Sequence, residues 1–313
     1  MSSMAVLVTG GAGFIGSHVA DRLLAQGHRV RVVDNLSTGD ERNLAPIRDR
    51  IDFLLGDLTE PDVCRQATEG IEIVFHLAAL ASVPRSMEDP EASYQHNVAA
   101  TMGLILASRD AGVRRIVYSS SSSVYGDTEV LPKVESMEPL PRSPYAAYKL
   151  AGEQMILAFA RAGVLEGAAL RYFNVFGPRQ SPTSAYAAVV PIFMQAARDG
   201  TAAPIFGDGG QTRDFTYVDN VVSANLLAGF GPAERVNGTV CNVGAGDRTS
   251  LLDLVTLISE VSGRPLAVTH LPTRDGDVRD SLASMERAQD RLGYRVEVDL
   301  REGLRRTWDW FQW

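Results

Sequence analysis

The feature that most constrains the fold is an apolar run followed at once by three spaced glycines. Residues 5–9 (AVLVT) have the character of a strand buried on both faces, and the stretch after the glycines favours a helix. Glycine at these positions allows a tight turn, a close approach of the backbone to a pyrophosphate, and close packing of helix against strand. The pattern therefore predicts a dinucleotide site. Its first cofactor-binding residues are Gly10, Gly13, Phe14, Ile15 and Gly16.

Strands and helices alternate through the first half of the chain. Further strands are predicted over 29–34, 51–55, 71–77 and 115–119. This alternation implies a parallel sheet with helices on both faces and a crevice at the carboxyl ends of the strands. After about Arg179, prolines and glycines interrupt the spacing. We therefore expect an α/β fold with a Rossmann-type doubly wound parallel sheet over 1–179, later strands interleaved from about 211–245, and a smaller C-terminal α/β substrate-binding domain mainly over 180–313.

The ends of the predicted strands complete the dinucleotide site. Asp34 closes the second strand about 20 residues after the glycines, where a carboxylate accepts hydrogen bonds from the adenosine ribose. Since that carboxylate would repel a 2′-phosphate, NAD is expected rather than NADP. The alternative for Asp34 is an ordinary turn residue at a strand end. The third and fourth strands end at residues placed to line the adenine and its ribose, namely Asp57, Leu58, Leu77, Ala78 and Ala79.

Tyr145 and Lys149 lie four residues apart at the head of a predicted helix, so they share one helical face. A free tyrosine has a pKa of about 10, and a nearby ammonium and a cationic nicotinamide both favour its phenolate. The alternative is a solvated pair on a helix surface. The serine run 119–123 opposes that alternative, because serines at a strand end bury poorly without partners. We expect Ser121, Tyr145 and Lys149 to form a catalytic group suited to alcohol–ketone interconversion.

Composition excludes several classes of protein. A net charge of −8 opposes general nucleic-acid binding. Cys64 and Cys241 lie far apart and do not cluster with the histidines, so neither a disulfide framework nor a metal site is expected. The sequence has no signal-peptide pattern and no apolar run long enough to span a bilayer. The expectation is a cytoplasmic protein without nucleic-acid or membrane partners.

Motifs along essentially the whole chain resemble those of the extended short-chain dehydrogenase/reductases. They are TGGAGFIGSH (9–18), DNLSTG (34–39), YSSSSSVYGD (118–127), SPYAAYK (143–149), RYFNVFGPRQ (171–180), GDGGQTRDFTYVDN (207–220) and RDGDVRDS (274–281). The chain is most similar to nucleotide-sugar 4-epimerases, particularly the UDP-N-acetylhexosamine branch, which shares the stretch at 79–86. The resemblance implies tightly held NAD, with Tyr145 taking the proton of the sugar 4-hydroxyl. It adds to the cofactor-binding residues Asn35, Ser37, Thr38, Gly39, Asn97 and Phe173.

The resemblance also implies a substrate site. Arg213 and Arg274 would pair with the diphosphate, since guanidinium groups match phosphate oxygens. The alternative for either arginine is a surface ion pair. Asn174 would contact the hexose or phosphate region, and Asp277 the uridine ribose. The expected substrate-binding residues are Ser82, Ser121, Ser122, Ser123, Tyr145, Asn174, Ala188, Val189, Arg213, Arg274, Asp277 and Ser281.

Particular positions bear on the reaction and its substrate. Similar dehydratases carry Asp-Glu, and similar decarboxylases a Glu, where this chain has Ser122 and Ser123. A hydroxyl is a poor acid or base at neutral pH, which favours simple epimerisation. Ser281 leaves room for an acetamido group, so activity on both UDP-GlcNAc/GalNAc and UDP-Glc/Gal is expected. Asp280 departs from the histidine common in this branch. UDP-glucuronate is the alternative substrate, although the arginine that glucuronate epimerases often place near Ser181 is absent.

Two other classes of function remain open at this stage. One is a catalytically silent dinucleotide sensor, although such proteins commonly lose the Tyr or Lys that this chain retains. The other is a dehydrogenase of a small alcohol, which would need no diphosphate-binding arginines. The resemblance further suggests a homodimer formed by the helices that follow Asp89 and Tyr145.

Overall fold

A computed structural model of the chain describes residues 3–182, 188–273 and 279–312. Arg274 and Asp277, both predicted to bind substrate, lie outside the described residues.

Strands and helices alternate along the chain. The strands are β1 Ala5–Thr9, β2 Arg29–Asp34, β3 Asp52–Leu55, β4 Ile73–His76, β5 Arg115–Ser121, β6 Glu166–Tyr172, β7 Val175–Phe176, β8 Ala203–Phe206, β9 Thr212–Arg213, β10 Thr216–Tyr217, β11 Thr239–Val243, β12 Thr249–Ser250 and β13 Val268–Leu271. The α-helices are α1 Phe14–Ala25, α2 Pro61–Thr68, α3 Val83–Glu88, α4 Pro90–Tyr94, α5 Ala100–Asp110, α6 Pro144–Arg161, α7 Val189–Asp199, α8 Val218–Phe230, α9 Ala233–Val236, α10 Leu251–Ser262, α11 Glu286–Leu292 and α12 Leu300–Phe311. Short 3-10 segments cover Glu41–Arg50 and Ser122–Tyr125, and a π-turn over Gln95–Ala99 joins α4 to α5.

The central sheet is parallel throughout. Within the described residues it has seven strands in the order β11-β6-β5-β4-β1-β2-β3. The chain runs outward from β1 to β3 and then crosses to β4 on the other side of β1. Such a reversal opens a crevice at the carboxyl ends of the two strands on either side of it. The expected Rossmann-type α/β fold is confirmed.

Both faces of the sheet are buried, which explains the apolar character of its strands. Side chains of β1 alternate between the faces, so that Val6 and Val8 join one apolar cluster and Leu7 joins the other. The first cluster includes Val19 of α1 and residues of α8. The second includes Leu104 of α5 and residues of α2 and α6. This two-sided burial is what a continuous apolar run such as 5–9 predicts.

β5 is longer than the sequence predicts. The predicted strand ends at Ser119, whereas the observed strand continues to Ser121 because Ser120 and Ser121 keep their pairing with Arg171 and Tyr172 of β6. The ladder therefore holds polar residues in extended conformation. The serine run therefore begins within β5 and continues past the carboxyl end of this strand into the 3-10 segment.

Part of the chain after residue 179 returns to the central sheet. β11 pairs with β6 at the sheet edge, from within the range 211–245 in which interleaved strands are expected. β9 and β10 come from the same range but pair outside the central sheet, with β12 and β7 respectively. The exact domain boundaries stay a prediction.

Candidate cofactor and active site

A cleft of about 980 Å³ opens along the carboxyl ends of the central strands. Its volume is at the upper end of the range usual for small-molecule and cofactor sites. Most of the residues predicted to bind the cofactor line it. They are Gly10, Gly13, Phe14, Ile15, Gly16, Asp34, Asn35, Ser37, Thr38, Gly39, Asp57, Leu58, Leu77, Ala78, Ala79, Tyr145 and Lys149.

The glycines leave a cradle that side chains would fill. Gly10 has a φ of +65°, and a Cβ there would lie 2.7 Å from the Cα of Ala78. A Cβ on Gly16 would collide with the carbonyl oxygen of Gly10. α1 begins directly after Gly13 and has no side-chain cap, so its first N–H groups face the cleft end without a capping side chain. This arrangement fits the pyrophosphate of a dinucleotide.

Asp34 is held at the end of β2 by backbone donors. Its Oδ2 accepts from the N–H of Ala12 at 2.9 Å and its Oδ1 from the N–H of Leu36 at 2.8 Å. Burial raises the pKa of Asp34, and these backbone hydrogen bonds offset part of the rise. Each carboxylate oxygen has a second acceptor site, so Asp34 retains capacity for the hydroxyls of a ribose.

Asp57 shapes the rim beyond β3. Its Oδ2 accepts from the Asn35 amide at 2.7 Å, and its Oδ1 accepts from the N–H and the hydroxyl of Thr59, both at 2.8 Å. Partial burial raises the pKa of Asp57, but the hydrogen bonds from Thr59 and Asn35 outweigh it and the net pKa is lowered. Asp57 is therefore an ionised carboxylate at the cleft.

Two predicted cofactor residues lie behind the cleft wall. The amide of Asn97 is buried and donates to the carbonyl oxygens of Leu80 at 3.3 Å and Ser93 at 2.8 Å. It thus supports Leu80, which does line the cleft. Phe173 is fully buried and packs in a small cluster with Tyr125. Their assignment to the cofactor stays a prediction.

The first turn of α6 places Tyr145. Ser143 caps the helix by accepting from the N–H of Ala146 at 3.2 Å, and Pro144 opens it. The N–H of Tyr145 donates to the hydroxyl of Ser86 at 3.1 Å, and Ser86 is fully buried on α3. Ser86 closes the stretch at 79–86, but it was not among the predicted site residues.

A chain of hydroxyls leads to the phenol of Tyr145. Ser123 donates to the Oγ of Ser121 through its backbone N–H at 3.2 Å and its hydroxyl at 2.9 Å. Burial raises the pKa of Tyr145 to about 12, and a hydrogen bond with Ser121 opposes that rise. Because Ser121 accepts from Ser123, its own proton is available to the phenol oxygen.

Lys149 lies one helical turn beyond Tyr145 and is 3% exposed. Its Nζ sits 4.6 Å from the centre of the Tyr118 ring, a cation–π contact. Burial lowers the pKa of Lys149 to about 7. Of the predicted catalytic residues, Tyr145 and Lys149 line the cleft, and Ser121 is hydrogen-bonded to Tyr145.

The other serines of the run also have partners. Ser119 is hydrogen-bonded to the hydroxyl of Tyr172 at 2.9 Å, and Ser120 donates to Glu153 at 2.8 Å. Glu153 is fully buried and accepts two bonds from Arg171, at 2.9 and 2.7 Å. No local sequence pattern indicates this ion pair. Glu153 follows Lys149 by four residues on the same helical face, but that spacing does not identify Arg171 as its partner.

The residues predicted to bind substrate in the second half of the chain lie in two groups. Ala188 lines the cleft and Val189 begins α7. Arg213 donates to the carbonyl oxygens of Thr212 at 2.9 Å and Arg279 at 3.1 Å. The N–H of Ser281 donates to the carbonyl oxygen of Thr212 at 3.2 Å. Thr212 thus brings Arg213 and Ser281 together.

Asn174 lies near this second group. Its backbone has a φ of +29°, and its amide donates to the carbonyl oxygen of Asp214 at 3.2 Å. The buried carboxylate of Asp214 accepts backbone N–H groups from Ala245 at 2.7 Å, Gly246 at 3.1 Å and Ala283 at 3.0 Å. Asp214 therefore ties the loop after β11 to the segment that carries Ser281.

Ser82 and Asp280 also form hydrogen bonds within the protein. Ser82 caps α3 by accepting from the N–H of Arg85 at 3.1 Å. The hydroxyl of Thr212 donates to the carboxylate of Asp280. Asp280, which stands where similar epimerases commonly have histidine, is therefore hydrogen-bonded to a residue of β9.

Comparison with known proteins places this site in a family. Residues 6–244 match the NAD dependent epimerase/dehydratase family, and the chain belongs to it. The chain is 43% identical over 313 residues to a UDP-glucose 4-epimerase of Mycolicibacterium smegmatis, with 99% of each chain covered.

Solved structures are similar over the same length. A UDP-N-acetylglucosamine 4-epimerase from Methanobrevibacter ruminantium, in complex with UDP-N-acetylmuramic acid, is 40% identical with a TM-score of 0.93 and covers 100% of this chain and 99% of its own. MoeE5 in complex with UDP-glucuronic acid and NAD is 37% identical with a TM-score of 0.88, covering 98% and 99%. The expected class, an NAD-dependent nucleotide-sugar 4-epimerase, is confirmed.

No helix in the part of the chain that the structure describes is long and apolar enough to cross a membrane. Nor does that part of the chain hold a group of three or more His, Cys, Asp or Glu side chains placed to bind a metal ion.

Proposed function

We propose that the protein interconverts UDP-hexoses at C4, acting on both UDP-GlcNAc/UDP-GalNAc and UDP-Glc/UDP-Gal through a transient 4-keto sugar. The observation that carries the proposal is the arrangement of Ser123, Ser121 and Tyr145. It provides a tyrosine for proton transfer with hydroxyls, not carboxyl groups, beside it. Such a site suits reversible oxidation of a secondary alcohol.

NAD, when bound in the cleft, supplies a cationic ring that accepts hydride from C4 and returns it. Tyr145 takes the proton of the sugar 4-hydroxyl and gives it back when the carbonyl is reduced. Ser121 donates to the phenol oxygen. The ammonium of Lys149, one helical turn away, favours the phenolate when it is protonated. The sugar must present its opposite face between the two steps, so the site has to bind the nucleotide firmly and the hexose loosely.

Ser122 and Ser123 support epimerisation over elimination. An elimination across the neighbouring carbons needs a second acid and base at the sugar. The two positions where similar dehydratases carry Asp-Glu hold hydroxyls here, and Ser123 is already donating to Ser121. Dehydratase and decarboxylase activities are therefore disfavoured.

The substrate residues support a roomy hexose site. Ser281 is small and lies beside Arg213 through their shared contact with Thr212. A small side chain admits an acetamido group without excluding a hydroxyl, so both substrate pairs are accepted. Arg213 and Arg274 are assigned to the diphosphate. The hydroxyl of Thr212 donates to the carboxylate of Asp280, which engages one of its oxygens within the protein.

The experiment is an epimerisation assay without added NAD. Purified protein receives UDP-GlcNAc, UDP-Glc and UDP-GlcA separately, and the C4 epimers are separated by ion-pair chromatography, with Tyr145→Phe as the inactive control. Products from UDP-GlcNAc and UDP-Glc are expected. Product from UDP-GlcA alone would establish the alternative substrate, and net NADH release or a 4,6-elimination product would overturn epimerisation itself.

A homodimer is part of the proposal. The helices after Asp89 and Tyr145 would form its interface, and apolar side chains on and beside the first of these helices are exposed. Met87 is 63%, Tyr94 42% and Leu106 36% exposed. Light scattering on the purified protein tests this, with Leu106→Glu expected to yield monomers. The cytoplasmic location stays a prediction from the composition.

A further inference from the structure

The loop after β7, residues 177–182, is fastened to α1 at two points. The Nε2 of His18 lies 3.0 Å from the carbonyl oxygen of Pro178, and because a carbonyl only accepts, the imidazole donates. The guanidinium of Arg179 donates to the carboxylate of Asp21 at 2.6 Å. These bonds join parts of the chain about 160 positions apart.

The loop and α1 both reach the cofactor cleft. His18 and residues 178–182 are among its lining residues. α1 is the helix whose first turn forms the glycine cradle for the pyrophosphate. The two bonds therefore join two walls of the cavity that holds the dinucleotide.

Three features restrict the geometry of this contact. The side chains of Arg179 and Asp21 are only 17% and 30% exposed, so their attraction is screened less than that of a surface pair. Arg179 has a φ of +67°, a left-handed conformation that costs a non-glycine residue roughly 1 kcal/mol or more. The Phe14 ring meets the His18 ring edge-on, with centroids 5.9 Å apart, and orients the imidazole.

Among the described residues, some buried polar atoms near this contact have no hydrogen-bond partner. One atom each of Asp21 (Oδ1), Arg179 (Nη1) and Gln180 (Oε1) is buried without a hydrogen-bond partner among the described residues. Buried polar atoms normally find partners. These atoms are closed off from the cleft, so the ion pair and the hydrogen bond described above are what join the two segments.

We propose that the Asp21–Arg179 ion pair and the His18–Pro178 hydrogen bond form a clasp that retains NAD. Asp21, Arg179 and His18 act as positioning residues: they hold the loop 177–182 across the cleft and so set the rate at which the dinucleotide leaves. The proposal goes beyond C4 epimerisation and does not depend on which sugar is the substrate.

The test measures NAD release directly. Wild type, Asp21→Asn, His18→Phe and the double variant are loaded with fluorescent etheno-NAD, and release is followed after addition of excess NAD. The matched control is Arg22→Gln, which breaks a neighbouring α1 ion pair with Asp219 whose charged atoms are 3.9 Å apart. We expect each single variant to release the dinucleotide about tenfold faster, the double variant faster still, and the control within about twofold of wild type.

Hydrogen exchange of the NAD-loaded proteins separates a clasp from general destabilisation. Faster exchange confined to residues 177–182 and α1 in Asp21→Asn supports the clasp. Unchanged release in the double variant would overturn it. So would faster release without increased exchange in 177–182, or an equal acceleration in Arg22→Gln.

Discussion

The hydroxyl of Ser123 lies 2.9 Å from the hydroxyl oxygen of Ser121, and Ser121 in turn is hydrogen-bonded to the phenol of Tyr145. The residue at position 123 is therefore linked to Tyr145, the proposed proton-transfer group, through Ser121 alone. Hydrogen bonds in such a chain polarise one another, and the gain is largest when the last acceptor becomes charged. At a position where similar dehydratases carry an acid, this chain has a hydroxyl that donates to Ser121, and we propose that it supports the phenolate of Tyr145.

Replacing Ser123 with alanine removes the first donor of this chain. We expect the apparent pKa of Tyr145 in the pH profile of kcat/KM to rise by about half to one unit, since a supporting hydrogen bond contributes roughly 1 kcal/mol. Ser122→Ala is the matched control and leaves the profile in place. A Ser123→Ala profile that overlays wild type would show that Ser123 does not tune Tyr145.

Replacing Tyr145 with phenylalanine removes the proton carrier. General acid–base catalysis contributes typically 10²- to 10⁴-fold, so kcat should fall by about that factor. Burial of the ring is preserved, so NAD content and melting temperature stay close to wild type. Both are measured beside the rate of epimerisation. Residual activity within about tenfold of wild type would assign the proton transfer to another group.

We predict that Lys149 lowers the free energy of unfolding of the cofactor-free protein at neutral pH. Its pKa falls to about 7 on burial, below the 10.5 of an exposed lysine, so the charged form favours the unfolded chain. The stability present above pH 10.5 is lost as pH falls towards 7. Lys149→Met should therefore be more stable than wild type at pH 7, by about 5 kcal/mol at most, and equal to it near pH 10.5.

Denaturant unfolding of stripped protein at several pH values checks this prediction. The other lysine of the sequence, Lys133, is the matched control. Burial lowers the pKa of Lys133 as well, but its Nζ donates to the carbonyl oxygens of Thr128 and Val130. Lys133→Met should therefore destabilise the protein near pH 10.5, where Lys149→Met equals wild type. A stability difference for Lys149→Met that does not vary with pH would contradict the argument.

The Glu153–Arg171 pair is expected to be essential to the fold of the site. Both side chains are buried, and Glu153→Gln leaves the guanidinium without a counter-charge at a cost of about 3–5 kcal/mol. Equilibrium unfolding in urea measures the change. Glu302→Gln, which breaks an exposed pair with Arg305, should have a far smaller effect. Similar losses in the two variants would refute the role of burial.

Ser281→Tyr tests the proposed gate. A phenol at this position would fill the space assigned to the acetamido group, so turnover of UDP-GlcNAc should fall by at least about tenfold while UDP-Glc is still epimerised. Activity on UDP-Glc in the same preparation is the internal control. Equal turnover of both substrates would place the acetamido group elsewhere.

Much of the cofactor site could be predicted because it depends on neighbours in sequence. The run 5–9, the glycines and Asp34 each act through local backbone geometry, and parallel strands bring their carboxyl ends to one edge. Tyr145 and Lys149 share a helical face by spacing alone. The predicted lining of the cleft therefore lies where local pattern and sheet topology place it.

Other contacts had no local pattern to reveal them. The Tyr145 N–H meets the Ser86 hydroxyl across 59 positions, and Arg179 meets Asp21 across 158. Asn97 and Phe173 have the right motif context, yet the folded chain puts them behind the cleft wall. Several polar residues lie near each strand end. The packing of helices over the sheet decides which of them reaches the cavity.

The sequence by itself determined the α/β class, the parallel sheet, the dinucleotide cradle and the Tyr145–Lys149 pair, because turn geometry and periodicity act over a few residues. The tertiary structure alone decided that Ser123 donates a hydrogen bond to Ser121, that Glu153 forms an ion pair with Arg171, and that Asp21 forms one with Arg179. Burial and charge pairing depend on groups brought together from distant elements, and their strength depends on the water excluded when those elements pack.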